Sequence, residues 1–409
     1  MPSRVSPSGF KALEGTSMFR PSTIGHLKLE HKVVLAPLTR MRATKESEGV
    51  FVPGDLNVEY YSQRASKGGF MLTEACPISR LAAGYPGVPG IFTQTQIDGW
   101  NRVTDAVHEK GGFIYCQLWH VGRATTPSFL GGENPVSSSD IPISGNALDG
   151  SPYAQTPPKP MTVAQIKELT QEYAAASKRA LQAGFDGVEI HGANGYLLDQ
   201  FLHDNVNIRG DGYGSNIEGR CRFPLEVIKA VTEAVGADRV GIRLSPYNYF
   251  QDTRDSKPNE HWEYLCEQIA AMPENQRLSY VHMIEPRFDE VLDEQAKMES
   301  LTGNPDGGKF GGRPNSLVPF RQILAKGSVK FLSAGSFNRD NAAPKIDAGD
   351  ADAIVFGRWF IANPDLPKRL AEGLPLNDYD RNTFYGADPP EKGYTDYPAF
   401  EAGSKGVEA

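Results

Sequence analysis

Eight short apolar runs punctuate the chain: "KVVLAPL" (32–38), "GFMLTEA" (69–75), "FIYCQLW" (113–119), "GVEIHG" (187–192), "VGIRLS" (240–245), "YVHMIEP" (280–286), "VKFLSAG" (329–335) and "DAIVFG" (352–357). Each is near-continuous rather than alternating, the pattern of strands covered on both faces. Helical patterns lie between most of them. The clearest opens at Thr162, where Thr162 and Gln165 have capping-box spacing, apolar residues recur at helical intervals, and Gly184 supplies a stop. A second covers "RFPLEVIKAVTEAVG" (222–236). Strands alternating with helices predict an α/β fold with a parallel sheet. A count of eight favours a single closed (β/α)8 TIM barrel over an open, doubly wound sheet.

Such a barrel needs roughly 250 residues, and the chain has 409. The surplus falls in long βα loops, at 124–160, rich in Pro, Gly and Ser, and at 297–312. Neither has the look of a domain linker, and no solenoid-type repeat is present. The expectation is one domain over 1–409, with the barrel spanning about 18–400 and terminal extensions at 1–17 and 401–409. A formal net charge of −8 argues against nucleic acid or an anionic membrane as partner. No apolar run reaches the roughly 18 residues of a membrane span, and the N-terminus lacks the apolar core of a secretory signal. The four cysteines, Cys76, Cys116, Cys221 and Cys266, are scattered, as expected of buried free thiols in a reducing compartment. A cytoplasmic monomer or homodimer is expected.

Familiar nucleotide and metal signatures are missing. No G-x-G-x-x-G occurs, and "GNPDGGKF" (303–310) has Phe310 where a P-loop needs Ser or Thr. No H-E-x-x-H or C-x-x-C suggests a metal. The ends of the last two strands are more informative. "SAGSF" offers Gly335 and Ser336, and "FGRWF" offers Gly357 and the cation of Arg358. Loops after strands seven and eight of such barrels commonly hold a phosphate. Other strand ends are polar as well: Thr39 follows "APL" and Gln117 sits in "CQLWH". Arg243 interrupts an apolar strand, which requires either an anion or a structural salt bridge with an acid such as Glu189 or Glu285.

The most unusual stretch is "HGANGYLLDQFL" (191–202), at the carboxyl end of strand four. It places His191, Asn194 and Tyr196 within six residues. In a continuing strand His191 and Asn194 would face opposite ways; Gly192 and Gly195 allow the chain to turn so that both face one site. An imidazole N–H and an amide N–H₂ aimed at one point suit a carbonyl oxygen or a developing oxyanion, with a phenolic proton nearby.

These residues, in this order, resemble the old yellow enzymes, flavin-dependent ene-reductases. The resemblance runs from about Met18 to Phe400 and to fungal-type members in particular. Its motifs are "APLTRMRA" (36–43), "TEACPIS" (73–79), "CQLWHVGRA" (116–124), "HGANGYLLDQFL", "NIRGDGYGSNIEGRCRFPLEV" (207–227), "GIRLSPY" (241–247), "EPRF" (285–288), "SAGSF" (333–337), "GRWFIANPDL" (357–366) and "GYTDYP" (393–398). It implies FMN at the barrel mouth. Thr39, flanked by Pro37 and Leu38, would bond the flavin O4; Ala75 would lie near the ring, Gln117 at its pyrimidine edge and Arg243 at its N1–O2 side. Gly335, Ser336, Gly357 and Arg358, with Phe356 adjoining, would hold the phosphate. His191 and Asn194 would bind the substrate carbonyl, and Trp119 and Tyr385 would shape the pocket.

The resemblance further implies an NADPH dehydrogenase in which NADPH reduces FMN. The flavin N5 then delivers hydride to the activated C=C bond of an α,β-unsaturated carbonyl compound, with nitroalkenes and maleimides as further acceptors, and Tyr196 gives the proton. Some fungal members of alkaloid pathways carry Phe at the Tyr196 position and favour isomerisation, so Tyr196 places this chain with the reductases. A flavin-dependent isomerase, or a pathway-specific reductase of secondary metabolism, is the near alternative. A non-redox barrel using only the phosphate site is the remote one.

Overall fold

The computed structural model describes residues 10–288, 309–310 and 313–401. The 303–310 run falls outside the described residues up to 308, and the 297–312 loop does so apart from 309–310. Eight parallel strands close into a barrel in sequence order: β1 (Val33–Leu35), β2 (Phe70–Pro77), β3 (Phe113–Trp119), β4 (Gly187–Gly192), β5 (Val240–Leu244), β6 (Tyr280–Ile284), β7 (Lys330–Ala334) and β8 (Ala353–Phe356). Each lies within, or within two residues of, its apolar run, because burial on both faces leaves continuous hydrophobicity as the dominant signal.

Helices follow the strands and cover the barrel: α1 (Asp55–Arg64), α2 (Gln94–His108), α3 (Val163–Gln182), α4 (Leu197–Leu202), α5 (Ile217–Val235), α6 (Pro258–Ala270), α7 (Val318–Lys326), α8 (Arg339–Asp347), α9 (Arg358–Ala362) and α10 (Leu366–Glu372). The Thr162 capping box at the start of α3 forms as expected, its hydroxyl accepting the Gln165 N–H and the Gln165 side chain bonding back. Such caps contribute about 1 kcal/mol. Helix α5 starts five residues before the expected 222. Asn216 accepts the Gly219 N–H and caps it, and Pro224 lies in the helix interior rather than its first turn. The proline costs one backbone hydrogen bond, while the helix buries Phe223, Val227, Ile228 and Val231 against its neighbours.

One end of the barrel is plugged. A hairpin of Ser22–Ile24 and Leu27–Leu29 turns at Gly25 and joins a buried cluster with Phe70, Leu72, Tyr115, Tyr280 and Leu332. Gly25 is required: its φ is +54°, and a Cβ there would collide with the Asp238 carbonyl. Asp238 precedes β5, so the plug lies at the amino end of the strands and leaves the carboxyl end for chemistry. All four cysteines are buried and free. No helix among the described residues is long and apolar enough to cross a membrane.

Candidate active site

Strand β4 ends at Gly192, and the chain then turns through Asn194 and Gly195, whose φ values are +57° and +74°. The turn is therefore made by Asn194 and Gly195, not by Gly192, whose φ is not positive and which completes the strand. A Cβ on Gly195 would lie 2.7 Å from the Phe250 carbonyl oxygen, so only glycine fits. Tyr196 stands at the N-cap of α4, but its side chain makes no capping hydrogen bond; a second-choice cap residue is not what its phenol provides.

His191 is buried, and burial holds its imidazole well below the ordinary 6.5, with the Arg243 and His282 charges pushing the same way. It is neutral at pH 7. Its Nδ1 accepts the Ala193 N–H at 3.3 Å. A neutral imidazole has one donor and one acceptor, so Nε2 carries the proton and is the donor. The imidazole and the Tyr196 ring meet edge to face, with centroids 5.1 Å apart. Trp119 at the end of β3 packs edge-on to the same phenol at 5.1 Å. One turn thus joins a neutral N–H donor, an amide and a phenol beside an indole.

Tyr85 is the residue here that sequence reasoning missed. Its ring lies 6.4 Å from that of Tyr196 and 5.5 Å from that of Trp119. Burial raises its phenol well above 10, and Tyr196, hydrogen-bonded to it, adds to the rise. Nothing in "AAGYPG" marked it, because it comes from a loop. Tyr385 approaches from the far end of the chain and is 65% exposed. Its segment is fastened to the loop carrying Pro37, Leu38 and Thr39. Arg40 donates to the Thr383, Phe384 and Gly393 carbonyls, and Arg42 to those of Thr383, Phe384, Pro390 and Lys392. These carbonyls satisfy Arg42 and all of Arg40 but its Nη1, which is buried without a partner, and "TRMRA" was a signal for both arginines.

Beneath the site, Glu189 on β4 accepts from Gln117 Nε2 at 2.7 Å and from the Tyr280 hydroxyl at 3.1 Å, and its other neighbour is His282 Nδ1 at 3.0 Å. Glu285 is taken by Ser333 and Lys345. Both acids considered as partners for Arg243 thus make bonds to other groups as well. Arg243 stands in register between His191 and His282 on the adjacent strands. With its Nε2 on Glu189, Gln117 keeps an Oε1 that is buried with no hydrogen-bond partner; the residue pairs with Ala75 on β2. An orphaned buried carbonyl is costly and marks a place where a ligand N–H belongs.

Strands β7 and β8 pair directly, which brings Gly335 and Ser336 beside Phe356, Gly357 and Arg358. Gly335 has φ +111° and Ser336 φ +51°, so successive backbone groups turn sharply there. A Cβ on Gly357 would meet only Leu38 at 3.4 Å and Ala36 at 3.9 Å. The protein itself has room for a side chain at Gly357; its absence leaves space for a ligand. The Arg358 guanidinium lies over the Phe288 ring, 5.2 Å from its centroid.

Residues 17–377 match the model of the NADH:flavin oxidoreductase / NADH oxidase family. The chain belongs to the old yellow enzyme family. It is 67% identical over 381 residues to flavin oxidoreductase hxnT of Emericella nidulans, covering 93% of this chain and 97% of that one. To 12-oxophytodienoate reductase 2 of Arabidopsis thaliana it is 40% identical, covering 96% and 98%. A solved structure of morphinone reductase in complex with tetrahydroNAD superposes with a TM-score of 0.79 at 38% identity, covering 95% of this chain and 99% of that one. As an old yellow enzyme homologue, the protein is an FMN-dependent oxidoreductase that takes electrons from a reduced nicotinamide. The residues present fit FMN. The orphaned Gln117 Oε1 matches an imide N–H, the Arg243 cation matches the electron-rich edge of a pyrimidine ring, and the turn at 335–336 with Gly357 and Arg358 matches a phosphate.

Proposed function

We propose that the protein is an NADPH-dependent ene-reductase acting on α,β-unsaturated carbonyl compounds. The carrying observation is the convergence of three groups on the β4–α4 turn: a neutral His191 whose free donor is Nε2, Asn194, and a Tyr196 phenol not spent on capping. The names of the relatives, with an oxo group in 12-oxophytodienoate and an -one in morphinone, support a carbonyl substrate. FMN, when bound, would supply the hydride chemistry between NADPH and the substrate.

The remaining steps fall to the chain. His191 Nε2–H and Asn194 Nδ2–H bond the substrate carbonyl oxygen and draw electron density toward it, leaving the β-carbon electrophilic. Both bonds strengthen as that oxygen becomes an enolate, which lowers the barrier. Tyr196 then gives its hydroxyl proton to the α-carbon and regains one from water. Thr39, Gln117 and Arg243 hold the ring system, and Gly335, Ser336, Gly357 and Arg358 hold the phosphate. Trp119, Tyr85 and Tyr385 restrict the substrate to the face where donors and acid meet.

The test is steady-state turnover of cyclohexenone-type substrates with NADPH against NADH. A saturated product with one nicotinamide consumed is expected. A shifted double bond without nicotinamide consumption would assign the isomerase instead. Arg358→Ala should weaken FMN retention about tenfold to a hundredfold, since a charge-assisted contact contributes about 1.5–3 kcal/mol; dialysis followed by flavin absorbance measures it. Unchanged retention would remove Arg358 from the phosphate site. Because burial holds His191 neutral, enone-driven flavin reoxidation should show no histidine titration from about pH 8 down to about pH 6. Protonation would put a full charge beside the carbonyl and raise the rate. A rise toward acid that disappears in His191→Ala would contradict the neutral assignment.

A further inference from the structure

We infer that Ser245 and Asn248, from the loop after β5, are positioning residues that set the aim and the hydrogen-bond polarity of Asn194, with Asp199 holding Ser245 in the orientation this needs. The inference rests on the reading above, in which Asn194 donates to the substrate oxygen.

Asn194 occupies the left-handed region at φ +57°, which asparagine tolerates only as an isolated residue held by its surroundings. Its main-chain N–H donates to Ser245 Oγ at 2.8 Å. The next N–H, of Gly195, donates to Asp199 Oδ2 at 2.8 Å. Two successive amides of the turn are thus fixed from two different elements, the end of β5 and the first turn of α4. A serine hydroxyl has one proton and two lone pairs. With the Asp199 carboxylate as its acceptor, at 3.5 Å, the lone pairs are left for Asn194. Ser245 and Asp199 are fully buried and Asn248 is 3% exposed, so water does not compete for these roles.

The side chain of Asn194 is fixed by a second chain of bonds. The Phe250 N–H donates to Asn248 Oδ1 at 2.9 Å. That settles which end of the Asn248 amide is the oxygen. Its Nδ2 then faces Asn194 Oδ1, at 3.4 Å. The Asn194 carbonyl is therefore engaged by Asn248, and Nδ2 is the end left for the substrate. Without Asn248 the amide would be free to present either end, and an amide oxygen toward a developing enolate would repel it.

A merely structural role for Asn248 makes the opposite prediction. Asn248→Asp keeps the volume and the acceptor for the Phe250 N–H, so a packing role tolerates it at least as well as Asn248→Ala. If Asn248 sets the polarity of Asn194, the order reverses. An aspartate has no donor for Asn194 Oδ1, so the Asn194 amide turns its NH₂ toward the carboxylate and its oxygen toward the site. The probe is 4-nitrophenol, ionised in weakly alkaline buffer, bound to the FMN-loaded enzyme and followed by calorimetry. The same variants are scored for enone-driven flavin reoxidation, and flavin reduction by NADPH serves as the internal control. Since one oxyanion donor is worth about 10²–10³, Asn248→Asp should weaken the phenolate by at least about tenfold and more than Asn248→Ala, with Ser245→Ala intermediate.

Each variant is repeated in the Asn194→Ala background. If the residues act through Asn194, their effects collapse there to within about twofold. An Asn248→Asp variant no weaker than Asn248→Ala overturns the inference. So does an effect that persists without the Asn194 side chain, which would assign it to direct charge repulsion or to general disturbance. Asn194→Ala binding 4-nitrophenol like the wild type is a separate failure: it would sink the donor role of Asn194 itself, and the inference with it.

Discussion

Alanine in place of His191 or Asn194 should slow enone-driven flavin reoxidation by about 10²–10³, the cost of removing one donor to a developing oxyanion. The effect is large because the donor is fixed: His191 is buried, with its imidazole neutral and its Nδ1 already occupied by the Ala193 N–H. Water cannot restore a fixed Nε2–H there at the same geometry. Phenols should bind more weakly to both variants, since a phenolate oxygen occupies the place of the enolate oxygen. Flavin content should be largely retained, because the Gly335–Ser336 turn and Arg358 lie at the ends of β7 and β8 rather than β4. Stopped-flow absorbance for reoxidation and a phenol titration measure the two effects. Unchanged phenol affinity in both variants would show that the pair does not face the substrate.

The barrel was legible because its eight strands are buried on both faces, so hydrophobic runs located them to within about two residues without any help from turns. Helix α5 shows where that legibility ended. Pro224 reads as a first-turn proline, yet the true start is set by the Asn216 cap, a weaker signal eight residues earlier. The site followed the same division. His191, Gln117 and Arg243 sit on or at the ends of strands, where a polar residue stands out against apolar neighbours. Tyr85 comes from a loop and reaches Tyr196 only through the closed fold. Asn248 and Ser245 touch Asn194 across more than fifty residues of sequence, and no local pattern encodes such a contact. The Glu189 network was half visible. Glu189 and His282 interrupt apolar strands, but which acid meets which base depends on strand register, which a sequence does not display.

Tyr196→Phe should separate the two halves of the catalytic cycle. Hydride addition leaves an enolate-like α-carbon that needs a proton, and a positioned acid is worth about 10²–10⁴ in rate. Phenols have pKa values near 10, so a tyrosine keeps its proton at neutral pH while remaining acidic enough for so basic a carbon. The substitution keeps the ring, and with it the edge-to-face contacts at 5.1 Å with both His191 and Trp119. It also leaves the turn intact, because the side chain of Tyr196 makes no capping hydrogen bond. What it removes is the hydroxyl, along with the hydrogen bond to Tyr85. Flavin reduction by NADPH protonates no carbon and should proceed nearly as in the wild type. Reoxidation by a cyclohexenone-type substrate should slow by at least tenfold, a conservative fraction of what a general acid provides. Nitroalkenes should lose less, since their nitronate can leave the site and take its proton from water. Stopped-flow absorbance resolves each half-reaction. Equal slowing of both halves would mean that the variant disturbed the site in general, and the Tyr85 contact would be the first suspect. Undiminished enone reoxidation would mean that another group, or water, delivers the proton. Tyr85 would then be the nearest phenol, and Tyr85→Phe the decisive companion variant.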